Sequence, residues 1–429
     1  MRPDAIVVGC GLAGLSAAVR LAESGAKVLV VAKGVGSTHL GAGTIDVLGY
    51  AGGRVERPLD AFDKLPDGHP YGLVGADGVT AAVDWFKRRI AEGPLAPYAY
   101  AGGVGENLLL PTAVGAVRPS AVVPVTMAGG DLRGGARVCM VGFRALKDFH
   151  PALLADNLAR APEGVEARGA ELDLQPEGRV DANSLAFARA FDDPAFRAEV
   201  AAQLAGRLSA EERVGFPAVL GLAIPHRVWS ELEERLGRPV FEVPTLPPSV
   251  PGIRVFASLR DALRRAGGQL VLNAMVTGAD RAGDRITALR TRVGLREAVH
   301  RAEWVVLATG GFAAGGLELD SRWRAREVAL GLPVARVPEP GADRFRPGYF
   351  DDHPLARAGV AVDRELRPIA KNGERLENVL VAGATLAGAV PWKEKSGDGV
   401  SLATGFRAAE LILGAGSFER PEARAAAEA

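Results

Sequence analysis

The chain has 429 residues, 48% of them apolar, with 51 basic side chains against 51 acidic ones. That length allows one very large domain or two to three ordinary ones, and the composition excludes a disordered chain. No nucleic acid partner is expected, because no basic stripe with interleaved aromatics is present.

The first predicted element is a short apolar strand at residues 5–8, which runs into a G-x-G-x-x-G turn at Gly9, Gly11 and Gly14. A helical pattern follows through Leu15, Val19 and Ala22 and stops at Gly25; a second strand is predicted at 27–32. In this context each glycine has a task. Gly9 permits the tight turn, Gly11 lets the backbone approach a phosphate, and Gly14 lets helix and strand pack closely. The helix start then offers unpaired N–H groups, from Leu12 and Ala13 onward, to an anion. A nucleotide-type cofactor is therefore expected. Cys10 sits inside the turn, where a small side chain fits.

Nicotinamide-binding units and most dinucleotide flavoproteins place an acid at the end of the second strand, where it accepts from a ribose hydroxyl. Lys33 stands there instead, followed by Gly34. A lysine can pair with a phosphate or simply be solvated. Next comes a second glycine-rich segment holding Ser37, Thr38, His39, Gly41, Ala42, Gly43 and Thr44.

Residues 60–100 read as helical, most clearly at 79–92. Residues 104–132 read as β-type, 137–142 as a strand, 145–161 as a helix, and 180–237 as mostly helical with a break near 215–217. Residues 244–252 carry four prolines and are expected to be a fixed loop, with Ser258 capping a helix to 266. Strands are predicted at 269–275, 286–292 and 298–306, and the run 304–308 ends in Thr309 and Gly310. Another buried strand, 378–382, ends at Gly383. Gly397, Asp398, Gly399 and Val400 then open a helix over 401–413, and residues from 419 onward are expected to fray.

These elements predict an α/β chain. A Rossmann-type flavin-binding domain on a parallel sheet, split into 1–60 and 255–429, surrounds an inserted α+β cap or substrate domain at 61–254. Ligands in such folds sit at the carboxyl ends of the strands. Gly41–Ala42–Gly43 offers backbone to the face of an isoalloxazine ring, and the start of the last helix offers N–H groups to its negative edge. Flavin is thus favoured over nicotinamide. No metal site is expected from the six histidines or from the two cysteines, Cys10 and Cys139, which are also too few for an iron–sulfur cluster held by this chain alone. A first strand so close to Met1 and the lack of a long apolar run predict an intracellular chain with no direct membrane insertion.

The chain resembles the B subunit of bacterial and archaeal anaerobic glycerol-3-phosphate dehydrogenase, a relative of the fumarate-reductase-type flavoproteins. The resemblance is carried by residues 6–15, 39–48, 69–75 and 138–149, by Gly359–Val360, Arg367–Pro368 and 378–383, and most distinctively by the proline-rich 244–254. It implies a three-subunit enzyme that oxidises sn-glycerol 3-phosphate to dihydroxyacetone phosphate and reduces quinone. An A subunit carries FAD, this B subunit FMN, and an iron–sulfur C subunit tethers both to the inner face of the cell membrane. Lys33 suits a mononucleotide, whereas the dinucleotide-type turn keeps FAD open as the alternative.

Oxidising a phosphorylated alcohol calls for a base and for phosphate-binding cations. The candidates are His353 as base and Arg254 and Arg367 as cations, with Arg118 and Arg346 behind them. Asp46 is a candidate polar contact near the ring. A covalent flavin link at His39 is not expected from its spacing. If the A subunit holds the substrate, this chain is a flavin relay. A self-sufficient flavin dehydrogenase and a non-catalytic assembly subunit are the other readings.

Overall fold

The computed structural model describes residues 2–176, 181–370 and 372–416; the expected frayed tail from 419 lies outside them. A five-stranded, wholly parallel sheet organises the first unit. Its order is Gln269–Val271, Val28–Val31, Ala5–Val8, Trp304–Leu307, Val379–Val381. The central strands are short apolar runs because both their faces are covered. Ala5, Val7, Val28 and Val30 meet the helices Leu12–Glu23, Val250–Arg265, Gly397–Gly414 and Tyr71–Ala91. Ile6, Val8, Leu29 and Val31 meet an antiparallel three-stranded sheet, Ala274–Ala282, Arg285–Val293 and Arg296–His300.

The expected insert holds two short antiparallel pairs, Tyr100–Gly102 with Val122–Pro124 and Leu108–Pro111 with Val117–Ser120, beside its main sheet. The main sheet is four-stranded and all parallel, ordered Val240–Val243, Arg213–Pro217, Ala136–Phe143, Val165–Leu172. Helices Pro151–Leu158, Ser184–Phe191, Pro194–Leu204 and Pro225–Leu236 accompany it. It is a second doubly wound α/β unit. Two of its strands carry weak signals: Val165–Leu172 keeps only its two ends buried, and Val240–Val243 is four residues between prolines. Phe143, Phe187, Phe191 and Phe216 are fully buried in its core, each contributing about 1.5–3 kcal/mol of apolar burial. Helix Tyr71–Ala91 shares the core of the first unit, whereas the second core draws on residues from Leu132 to Val250. We therefore propose that the insert is this latter stretch rather than 61–254.

Element limits also shift. The expected helix at 145–161 begins only at Pro151, where proline suits the first turn. The expected strand at 298–306 is two strands, one in each sheet. The helix expected from Ser258 starts at Val250, inside the proline-rich segment. Ser249 is its N-cap, accepting from Gly252 N–H at 3.1 Å, and Pro251 occupies the first turn. Ser258 is buried mid-helix.

Candidate flavin site

A cavity of about 570 Å³ opens at the carboxyl ends of Ala5–Val8, Val28–Val31 and Trp304–Leu307. The glycine turn forms one wall, and its three glycines differ physically. A Cβ on Gly9 (φ 106°) would lie 2.2 Å from the Ala308 carbonyl oxygen, and one on Gly14 would lie 2.0 Å from that of Gly9. A Cβ on Gly11 would meet nothing within 4 Å. Gly9 and Gly14 are thus required by packing, while Gly11 borders open space. Gly11 is also the N-cap of helix Leu12–Glu23, with no side-chain cap and no acid in the first turn. The first N–H groups of that helix are left for an anionic ligand.

Cys10 Sγ donates to the Gly34 carbonyl at 3.0 Å, and burial pushes the thiol up to about 11. It ties the turn to the Lys33–Gly34 corner and is not reactive at neutral pH. Lys33, Gly34 and Ser37 line the cavity, which continues past them to Ala274, Met275 and Val276. That extension is apolar, and an adenosine could lie against it. The residues present therefore fit a dinucleotide flavin.

The second glycine segment is held by the proline-rich motif. Cβ atoms on Gly43 and Gly252 would lie 2.4 Å from Pro251 Cβ and 2.1 Å from the Thr38 carbonyl oxygen. Ser249 Oγ donates to the Gly41 carbonyl at 2.5 Å, and Tyr100 donates to that of Gly43. Ala42 lies in the same stretch. Thr44 accepts from Arg118 at 2.5 Å, and Arg118 also pairs with Asp46 at 3.2 Å.

At the third strand end, Gly310 N–H donates to Thr385 Oγ1 at 2.9 Å. The neighbouring Glu327 carboxyl is raised by burial and accepts from Ala329 and Leu330 N–H. A Cβ on Gly383 would lie 2.8 Å from that of Ala13, so the first helix and this strand end meet there. The last helix is more enclosed than its sequence suggests. Gly399 packs under Tyr71 Oη and Val47; its N–H goes to Asp46 O and that of Val400 to Ser396 O. Only the N–H groups of Gly397 and Asp398 remain for a ring edge among the described residues. Burial and the adjacent Asp46 push the Asp398 carboxyl up to about 7.

The residues expected to do the chemistry are placed elsewhere. Arg254 is fully buried, donating to Glu242 at 2.8 and 3.1 Å and to the Leu220 and Gly221 carbonyls. It locks the helix of the first unit to a strand of the second and presents no donor to a ligand. Arg367 is held on the surface by Asp363, Glu365 and Glu377. His353 Nδ1 accepts from Arg346 N–H, and its ring packs on Trp392 in a loop away from the glycine turn. Arg346 pairs with Asp343. His39 packs edge-on against Phe256, its pKa lowered by burial and by Arg260.

A buried pair has no signature in the sequence. His69 Nδ1 accepts from Tyr71 N–H, so Nε2 carries the proton toward Glu394, 3.2 Å away. The two residues are 325 positions apart, and no spacing rule joins them.

A glycine-lined cavity at the carboxyl ends of a parallel sheet defines a flavin-binding α/β oxidoreductase, and residues 4–400 match the family model described as an FAD binding domain. Among curated relatives, the chain is 33% identical to the probable anaerobic glycerol-3-phosphate dehydrogenase B subunit of Halobacterium salinarum, over 94% of this chain and 96% of that one. It is 32% identical to the B subunit of the enzyme from Pectobacterium carotovorum, over 97% and 100% of the two chains. The chain belongs to the family of anaerobic glycerol-3-phosphate dehydrogenase B subunits. Among solved structures, 3-ketosteroid delta1-dehydrogenase from Sterolibacterium denitrificans aligns with 96% of this chain and 100% of its own, at 14% identity and a TM-score of 0.46. The FAD-binding family model supports flavin but not FMN as the first choice. No helix among the described residues is long and apolar enough to cross a membrane.

Proposed function

We propose that the chain is the FAD-bearing B subunit of a quinone-linked dehydrogenase that oxidises sn-glycerol 3-phosphate to glycerone phosphate. It works with an FAD-containing A subunit and passes electrons to an iron–sulfur C subunit, which holds the complex at the inner face of the membrane. The observation that carries the cofactor assignment is the cavity's apolar extension past Lys33 to Val276, which a mononucleotide would leave empty.

Bound flavin would supply the acceptor for a hydride from the carbinol carbon. The chain's own residues bind and orient. The N–H groups after Gly11 would hold the pyrophosphate, with Lys33 as a counter-charge, and Ala274, Met275 and Val276 would line the adenine end. Gly41, Ala42 and Gly43, fixed by Ser249 and Pro251, would face the ring. Asp398 holds a proton beside Asp46 up to about pH 7.

The test is to purify the chain, release its chromophore with heat and identify it by chromatography. FAD is expected. FMN alone would overturn the dinucleotide assignment, and a chain that stays colourless after reconstitution would favour a role in assembly without flavin. Co-expression with the partner chains should yield dye and quinone reduction on glycerol 3-phosphate; quinone reduction without an iron–sulfur partner would sink the relay.

A further inference from the structure

A second, larger cavity of about 990 Å³ is lined in part by Arg118, which contacts Thr44 and Asp46. Five cations line it, Lys64, Arg118, Arg357, Lys393 and Lys395, against two carboxylates, Asp352 and Glu394. Some of that charge is neutralised locally. Lys393 pairs with Asp352 at 2.7 Å, and Arg118 pairs with Asp46 outside the lining. Among the described residues, no ion pair involves Lys64 or Lys395. Arg118 is oriented by Thr44 and Asp46 through Nη2. Lys395 also holds a left-handed backbone conformation (φ 52°), a position where glycine would be cheaper. A surplus of cations with unmatched donors suits a compact dianion.

The same cavity offers an acceptor. Glu394 Oε2 is engaged by His69 Nε2 at 3.2 Å and Ser396 Oγ at 2.9 Å. Its Oε1 lies 3.9 Å from Arg357, beyond hydrogen-bond reach, and is left for a hydroxyl. Tyr349 and Trp392, with ring centroids 5.2 Å apart, form an apolar wall. Arg118 donates to Thr44, which follows the glycine segment 41–43 in the chain.

We propose that this cavity binds a phosphate monoester of a small polyol, with Lys64, Lys395 and Arg118 on the phosphate and Glu394 accepting from a hydroxyl. The chain then carries a substrate site of its own and is more than an electron relay. The identity of the polyol as glycerol rests on the proposed dehydrogenase function; the anion site rests on the cavity.

The test is isothermal titration of the flavin-loaded full chain with glycerol 3-phosphate, inorganic phosphate and glycerol. Glycerol 3-phosphate should bind and be displaced by phosphate, and glycerol should give no heat. Lys64→Gln and Lys395→Gln should each weaken glycerol 3-phosphate binding by about tenfold, as expected for loss of one charge-assisted contact, without changing flavin content. Arg137→Gln, at the far end of the insert, should bind as the parent does. Absence of phosphate-anion binding, or binding indifferent to both lysine changes, would overturn the proposal. A chain that holds flavin yet binds no phosphate sinks the cavity assignment alone. A flavinless chain that binds glycerol 3-phosphate through these lysines sinks the flavin reading alone.

Discussion

Gly11 and Gly14 are three residues apart in one motif, yet substitution should separate them cleanly. Gly11 has φ −67° and ψ −177°, a conformation any residue adopts, and its Cβ would point into open space. Gly11→Val should therefore fold with a near-parental melting temperature and lose flavin, which absorbance of the purified protein reports. Gly14→Val would drive a side chain into the Gly9 carbonyl and should destabilise by about 3 kcal/mol or more, seen as a lower denaturation midpoint. Asp398 gives a pH signature. Its folded pKa, about 7, lies above the 3.8 of a free carboxyl, so the folded chain keeps a proton that the unfolded chain releases. Stability tied to this group is then lost as pH rises from 3.8 toward about 7. Melting temperature against pH should fall less steeply across that window in Asp398→Asn; parallel profiles would refute the assignment.

At the scale of elements, helix Val250–Arg265 joins the two units. Ser249 caps it and ties down Gly41, while Arg254, four residues into the helix body, enters the second unit to meet Glu242. Ser249→Ala should cost about 1 kcal/mol for the cap and loosen the Gly41 segment, so flavin affinity should fall along with stability. Arg254→Met leaves Glu242 buried without its partner and should cost about 3–5 kcal/mol in chemical denaturation. Should Arg254→Met instead retain stability and abolish turnover, Arg254 would be a substrate ligand after all.

Across the whole molecule, the cofactor cavity runs between the glycine turn and the antiparallel sheet, so its walls come from segments far apart in the chain. Ligand binding to the folded state alone raises stability by about 2.7 kcal/mol at a hundredfold excess over Kd. If the proposed FAD assignment holds, added FAD should raise the melting temperature of the apoprotein more than FMN at equal concentration, through added contacts with Ala274, Met275 and Val276. An equal or larger shift with FMN would argue for the mononucleotide.

What the chain states locally is what its sequence determines. The strand–glycine turn–helix at 5–23, the apolar strands ending at Leu307 and Val381, and the flavin-type glycines follow from residues close together, because turn conformation and hydrophobic period are local properties. The functional family, too, was legible in short motifs such as 244–254. The tertiary structure alone decided the rest. The parallel sheet of the insert depends on pairing between strands as distant as Val138 and Arg213, and two of its strands carry weak signals. Whether an arginine is a ligand or a lock depends on what surrounds it: Arg254 and Arg367 look like phosphate binders in sequence, and burial with Glu242 or pairing with Asp363 removes them from that role. Conversely, Lys64, Arg118 and Lys395 have no common motif. Only the fold brings them around one cavity, because charge at a site sums over space and not along the chain.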